Sequence, residues 1–231
     1  MAKGAMVELQ APQGSTSGYV MGMVHGRGRP GLVVLHDAWG LTPHIRDVVN
    51  RFAHEGYDAL ALDLLQGRVA ATADEAALQI ADFNRDRAIA DIGTALDYLC
   101  EADHRAHAGI VGFGLGGELA IEAARHARVA SYISFYGFPP TAERLTSIRA
   151  QGMLHCGDQD ATYPMARAVA FVQQQASSGV LTEMAVYPHA GYAFFNDARP
   201  DAYQPVPART AWSRTIAQFN RQVRGGASGA A

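Results

Sequence analysis

The sequence predicts an α/β fold: one domain, residues 1–231, built on a mostly parallel sheet with helices on both faces. Two observations carry this. Short apolar runs alternate with longer stretches whose apolar residues recur every three or four positions, as when each strand is followed by a helix crossing back over the sheet. The runs "GLVVLH", "AGIVGF", "VASYISFYG" and "GMLHCG" are nearly unbroken, as in strands buried on both faces. No linker or internal repeat divides the chain.

The elements follow in order. "MVELQ" and "GYVMGMV" read as an opening pair of strands. "GLVVLH" is a buried strand after a Gly-Arg-Pro turn, and residues 43–56 form a helix that Gly56 caps. "YDALALDLL" is the next strand. One long helix is expected from Thr72 to Cys100, with Ile89, Ile92, Leu96 and Leu99 on one face. Strand "AGIVGF" leads into helix "LGGELAIEAARHA". Then come strands "VASYISFYG" and "GMLHCG", a helix over 163–179, strand "LTEMAVYP" and a closing helix over 208–223. The low-complexity ends, 1–6 and 224–231, are expected to fray.

Composition narrows the function. Hydrophobic residues make up 48%, charged residues 18%, and the net charge is −3 without a basic cluster, which argues against nucleic acid and anionic membranes. No apolar run reaches the roughly 18 residues of a membrane helix, and the N-terminus lacks a signal-peptide core. Cys100 and Cys156 fit no C-x-x-C pattern, so free thiols in a cytoplasmic protein are expected. No cofactor is expected, and no H-E-x-x-H or comparable metal-ligand spacing occurs. A monomer or homodimer is expected.

Ligands of parallel sheets sit at the carboxyl ends of the strands, so the residues after Leu35, Phe113, Cys156 and Pro188 matter most. After Phe113 the chain reads "GIVGFGLGGELA" from Gly109. A strand, a tight glycine turn and a helix start present a nucleophile in the pattern G-x-(Ser or Cys)-x-G. The outer glycines are Gly112 and Gly116, but the central residue is Gly114.

"VVLHDAWGLTPHIRDVVNRFAHEGYDALALDLL", "GIVGFGLGGELA", "MLHCGDQDATYP" and "VYPHAGYAFFND" resemble the signature blocks of the dienelactone hydrolase family, a branch of the α/β-hydrolase fold. The resemblance runs from about Val7 to Val223. It implies a cysteine that attacks a lactone or ester carbonyl, a histidine that moves the proton, an aspartate that orients the histidine, and a glutamate after the third strand. These positions fall on Gly114, Tyr192, Asp160 and Asp37. Only the aspartate matches outright. Glycine cannot form an acyl adduct, and a phenol of ordinary pKa near 10 is a poor base at neutral pH. Glycine does remove the strain of a left-handed elbow residue. The resemblance also implies an oxyanion hole from the N–H groups of Leu115 and Ala38, which needs no side chain. The missing side chain at 114 is expected to leave room for water or a larger ligand.

Two readings stay open. One is a non-covalent enzyme, with Asp37 as general base and Tyr192 as donor oriented by Asp160, acting as a hydrolase, isomerase or lyase on a small carbonyl ligand. The other is a pseudoenzyme that binds such a ligand. Each residue also has a bland reading. Asp37, Asp158 and Asp160 could serve turns, and Tyr192 could be a core aromatic. His44 and His155 read as structural, and Cys156 as a small buried hydrophobe. His189 is the one substitute base, and a zinc cluster of His36, Asp37 and His189 has no spacing motif behind it. Trp39 reads as pocket lining, with Tyr163 and Phe194 as further neighbours; Phe195 reads as core. The position four after the family's histidine, an arginine in some members, falls on Asn196, which argues against an acidic dienelactone substrate.

Overall fold

The computed structural model describes residues 4–22, 28–102, 104–141, 144, 147–162 and 165–224. The chain opens with an antiparallel hairpin of β1 (Ala5–Ala11) and β2 (Gly14–Met21). Of the ends expected to fray, Ala5 and Met6 pair with Val20 and Tyr19, while 1–3 and 225–231 lie outside the described residues. At the other end Arg224 completes a π-helical turn and donates to the Glu55 carbonyl, so it too is ordered. Positions 23–24 of the predicted second strand lie outside the described residues.

The remaining elements are β3 (Gly31–Leu35), α1 (Pro43–His54), β4 (Asp58–Leu62), α2 (Ala73–Ala81), α3 (Arg85–Ala102), β5 (Ala108–Phe113), α4 (Leu115–Ala123), β6 (Val129–Phe135), β7 (Gln151–Gly157), α5 (Met165–Ser177), β8 (Thr182–Tyr187) and α6 (Pro205–Phe219). They form one eight-stranded sheet in the order β1-β2-β4-β3-β5-β6-β7-β8. β2 meets β4 antiparallel, and β3 to β8 are parallel. Among the described residues no helix is long and apolar enough to cross a membrane.

The single helix expected over 72–100 is two helices. Asn84 accepts the Arg87 N–H at 2.9 Å, an N-terminal cap that starts α3 afresh, and Thr72 caps α2 through the Glu75 N–H. Such caps contribute about 1 kcal/mol each, enough to break a helix of middling propensity.

Alternation along β3 sorts its side chains into two cores. Val33 and Leu35 join Ile92, Leu96, Leu99 and Leu119 of α3 and α4. Leu32 and Val34 join Val48, Val49 and Phe52 of α1 and Phe219 of α6. Each buried aliphatic side chain contributes roughly 1.5–3 kcal/mol. A strand sandwiched this way has little freedom to shift, so the loop after it leaves the sheet at a fixed point.

Candidate active site

β3, β5, β7 and β8 end at one edge of the sheet. Gly114 follows β5 with φ 52° and ψ −117°, a left-handed conformation that glycine takes without strain. Its flanking glycines are needed for contact. A Cβ on Gly112 would strike the Gly116 carbonyl, and one on Gly116 would strike the Leu35 and His36 carbonyls. α4 therefore starts directly against the end of β3. Leu115 is its first residue, and Ala38 stands in the loop after β3. Both are half-buried, and among the described residues neither backbone N–H donates to a protein acceptor.

The space above the elbow is filled. A Cβ on Gly114 would lie 2.5 Å from the Tyr192 hydroxyl oxygen and 3.3 Å from Asp37 Cβ. The expected room for water is thus corrected: the phenol of Tyr192 already stands there. Tyr192 comes from the loop after β8, between two non-glycine residues with left-handed φ, His189 (61°) and Ala193 (59°). Burial, then the charges of Asp37 and Asp160, push its pKa up, so the phenol is a neutral donor at neutral pH.

Asp37 is 5% exposed. Its Oδ1 accepts the Trp39 N–H at 2.9 Å, so it does cap its turn. Burial raises its carboxyl to about 6, against the pull of that N–H and of the Arg199 charge. His36 fixes this loop. Its Nε2 accepts the Leu64 N–H at 3.0 Å, which leaves Nδ1–H to donate to the Asp37 carbonyl at 2.7 Å. Burial lowers the His36 pKa and keeps the ring neutral. Both ring nitrogens are committed to backbone, so His36 has none to offer a metal.

Asp160 is also buried. Its Oδ1 accepts from the Thr162 N–H at 2.9 Å and hydroxyl at 2.6 Å, while Oδ2 has no hydrogen-bond partner among the described residues. The sequence leads to the expectation that Asp160 orients Tyr192, and among the described residues no hydrogen bond joins the two. The one polar atom of a tyrosine side chain lies at the far end of its ring, and here that end sits beside Gly114.

Two residues enter that sequence reasoning missed. Tyr136 follows β6 directly, is buried, and has a left-handed φ of 41°. Its ring meets that of Tyr192 edge-on at 5.1 Å. Burial, then Asp37 and Tyr192, raise its pKa well above the ordinary value. Its place just after a strand was the available signal. Arg199 lays its guanidinium over the Trp39 ring at 5.4 Å and pairs with Asp201 at 3.0 Å. Nothing in the pattern of the sequence marks it. Asn196 turns its Oδ1 to the Ala198 N–H at 3.1 Å, so the nearby cation is Arg199 instead.

The other candidates lie elsewhere. His44 pairs with Asp197 at 2.8 Å. His155 is buried between the Tyr187 hydroxyl at 2.8 Å and the Thr215 hydroxyl at 3.0 Å, its pKa lowered by burial to about 3. His189 is exposed; its N–H donates to Asp158 at 2.6 Å and its ring faces Gln159, so it stands on an outer turn. Cys100 and Cys156 are buried and form no disulfide. Phe194 and Phe195 are core residues packed at a tilt around Phe135, and Trp39 is half-buried under Arg199. Tyr163 lies outside the described residues. Among the described residues no three His, Cys, Asp or Glu side chains are grouped to hold a metal ion.

Comparison with known proteins places this site in context. The model of the dienelactone hydrolase family matches residues 17–223. Protein usf of Aquifex pyrophilus is 29% identical over 95% of this chain and 99% of its own length. A probable 2-oxo-3-(5-oxofuran-2-ylidene)propanoate lactonase of a Bradyrhizobium species is 26% identical over 81% of this chain and 82% of its own. The crystal structure of a putative dienelactone hydrolase from Klebsiella pneumoniae superposes with a TM-score of 0.80 over 94% of this chain and 98% of that one, at 24% identity. The fold is that of the α/β-hydrolases.

Proposed function

We propose, on the premise that this chain belongs to the dienelactone hydrolase family, that it binds a small lactone, ester or related carbonyl compound and acts on it without a covalent adduct. The observation that carries this reading is the Tyr192 hydroxyl, 2.5 Å from where a side chain on Gly114 would begin. The carbonyl oxygen lies between the N–H groups of Leu115 and Ala38, where the positive end of α4 favours developing negative charge. Asp37, with its carboxyl raised to about 6, is the general base, and the neutral phenol of Tyr192 is a hydrogen-bond donor. The lactonase name of the Bradyrhizobium relative supports the lactone class. Trp39 covers one side of the mouth and Arg199 supplies a cation there. The same reading makes the protein cytoplasmic, a monomer or homodimer of one domain with no cofactor.

The occupied elbow also favours a second reading, in which the site only binds. Turnover decides between them. Activated aryl esters and unsaturated lactones are incubated with the wild-type protein and with Asp37→Asn. Turnover above background that Asp37→Asn removes supports the enzyme. Saturable binding without turnover supports the pseudoenzyme.

A further inference from the structure

The occupied elbow restricts which reaction the site can run. Adding a nucleophile to a carbonyl held by Leu115 and Ala38 needs an attacking atom near the point where a side chain on residue 114 would stand. That point is taken by the Tyr192 hydroxyl, with Asp37 Cβ 3.3 Å from it. The burial and neighbouring carboxylates that raise its pKa make this phenol a donor, not a nucleophile. A second phenol, Tyr136, packs edge-on against the Tyr192 ring at 5.1 Å. A bulky residue held at φ 41° is strained, and such strain gathers at functional sites. The site thus holds one carboxylate, two phenols and two free N–H groups, with a donor where a nucleophile would be.

We infer that the site catalyses proton transfer at the carbon next to a carbonyl, shifting a double bond in a small unsaturated lactone or related compound rather than opening it. This rests on the reading that the site handles such a carbonyl without an adduct. In a β,γ-unsaturated lactone, the Asp37 carboxylate takes a proton from the α carbon. The C–H electron pair becomes the α-carbon to carbonyl-carbon double bond, and the carbonyl π pair moves to oxygen. The N–H groups of Leu115 and Ala38 and a phenol hold that negative oxygen. The Asp37 carboxylic acid, its proton exchanged with solvent, then protonates the γ carbon: the β,γ π pair forms the new C–H bond, the α-carbon to carbonyl-carbon π pair moves between the α and β carbons, and the oxygen pair re-forms the carbonyl. No atoms are gained or lost and no oxidant is needed. A carboxylate base and phenol donors whose pKa values are pushed apart by their surroundings suit this division of labour.

The test is proton NMR of a β,γ-unsaturated five-membered lactone in deuterated buffer with the wild-type protein, Asp37→Asn, Tyr192→Phe and Tyr136→Phe. The expected result is deuterium at the γ carbon of the α,β isomer, formed at least ~100-fold faster by wild type than by Asp37→Asn. Each phenylalanine variant is expected to lose about 10-fold in rate while its circular dichroism matches wild type. If Asp37→Asn does not fold, the two phenylalanine variants carry the test. Ring opening without deuterium on carbon would overturn the inference and leave the adduct-free carbonyl reading intact. Neither exchange nor opening, on this lactone or on the esters above, would overturn both.

Discussion

The two halves of the site are built to different rules. On the β3–β5 side the parts proposed to work are backbone: the Gly112–Gly116 turn, the Leu115 and Ala38 N–H groups, and a loop tied down by His36. On the β7–β8 side they are side chains, and these do not interlock as a relay: Asp160 bonds to Thr162, and Tyr192 reaches past it to Gly114. The backbone half is fixed by packing, since any Cβ at Gly112 or Gly116 collides with a carbonyl. Gly114 and Tyr192 join the two halves, the volume that glycine leaves at one position being filled from the other.

Four changes test this contrast, from the largest expected effect to the smallest. Asp37→Asn keeps an oxygen to accept the Trp39 N–H but removes the proposed base. Turnover should fall about 10²- to 10⁴-fold with the fold intact, by steady-state kinetics and circular dichroism.

The same variant has a stability signature of known sign. The folded carboxyl titrates at about 6, above the roughly 3.9 of an unfolded aspartate. Its contribution to stability is fully present below about pH 4 and is lost as pH rises through 6. That gap between the folded and unfolded carboxyl corresponds to about 3 kcal/mol at most. Urea unfolding should find Asp37→Asn more stable than wild type at pH 7.5 by up to that amount, with the two converging near pH 4. Activity should run the other way, rising with pH to a midpoint near 6.

Gly114→Cys puts a Cβ 2.5 Å from the Tyr192 hydroxyl and a side chain at φ 52°. It should destabilise by roughly 1–3 kcal/mol, through strain and overpacking. Gly114→Cys with Tyr192→His removes the clash and sets a ring nitrogen toward the unpartnered Oδ2 of Asp160. A double-mutant cycle should give a favourable coupling of about 1 kcal/mol. Additive losses would mean that Gly114 and Tyr192 are independent. The smallest effect is expected from Arg199→Gln. Its charge holds the Asp37 carboxyl down, so the activity midpoint should rise by a few tenths of a pH unit, less at high salt.

The fold was legible because its signals are local and repeated. The unbroken apolar runs of β3, β5, β6 and β7 are all buried strands. The break before α3 was not, because one asparagine cap outweighed a helical pattern that runs on across it. At the site, the resemblance named Asp37, Gly114, Asp160 and Tyr192, and the structure brings Asp37, Gly114 and Tyr192 to one point. That Tyr192 fills the vacant volume depends on its length and on the path of the β8 loop, which no single-residue comparison contains. Tyr136 and Arg199 reach the site through tertiary geometry, from an unflagged strand end and from a loop without periodic pattern.

The central claim is that the site works with a phenol where an acyl-accepting side chain would stand. The most direct test is intact-mass measurement on protein quenched with acid while it turns over the β,γ-unsaturated lactone. The account predicts product accumulating while the chain stays at its unmodified mass at every time point. A population heavier by one acyl group, forming and decaying at the rate of turnover, would contradict it.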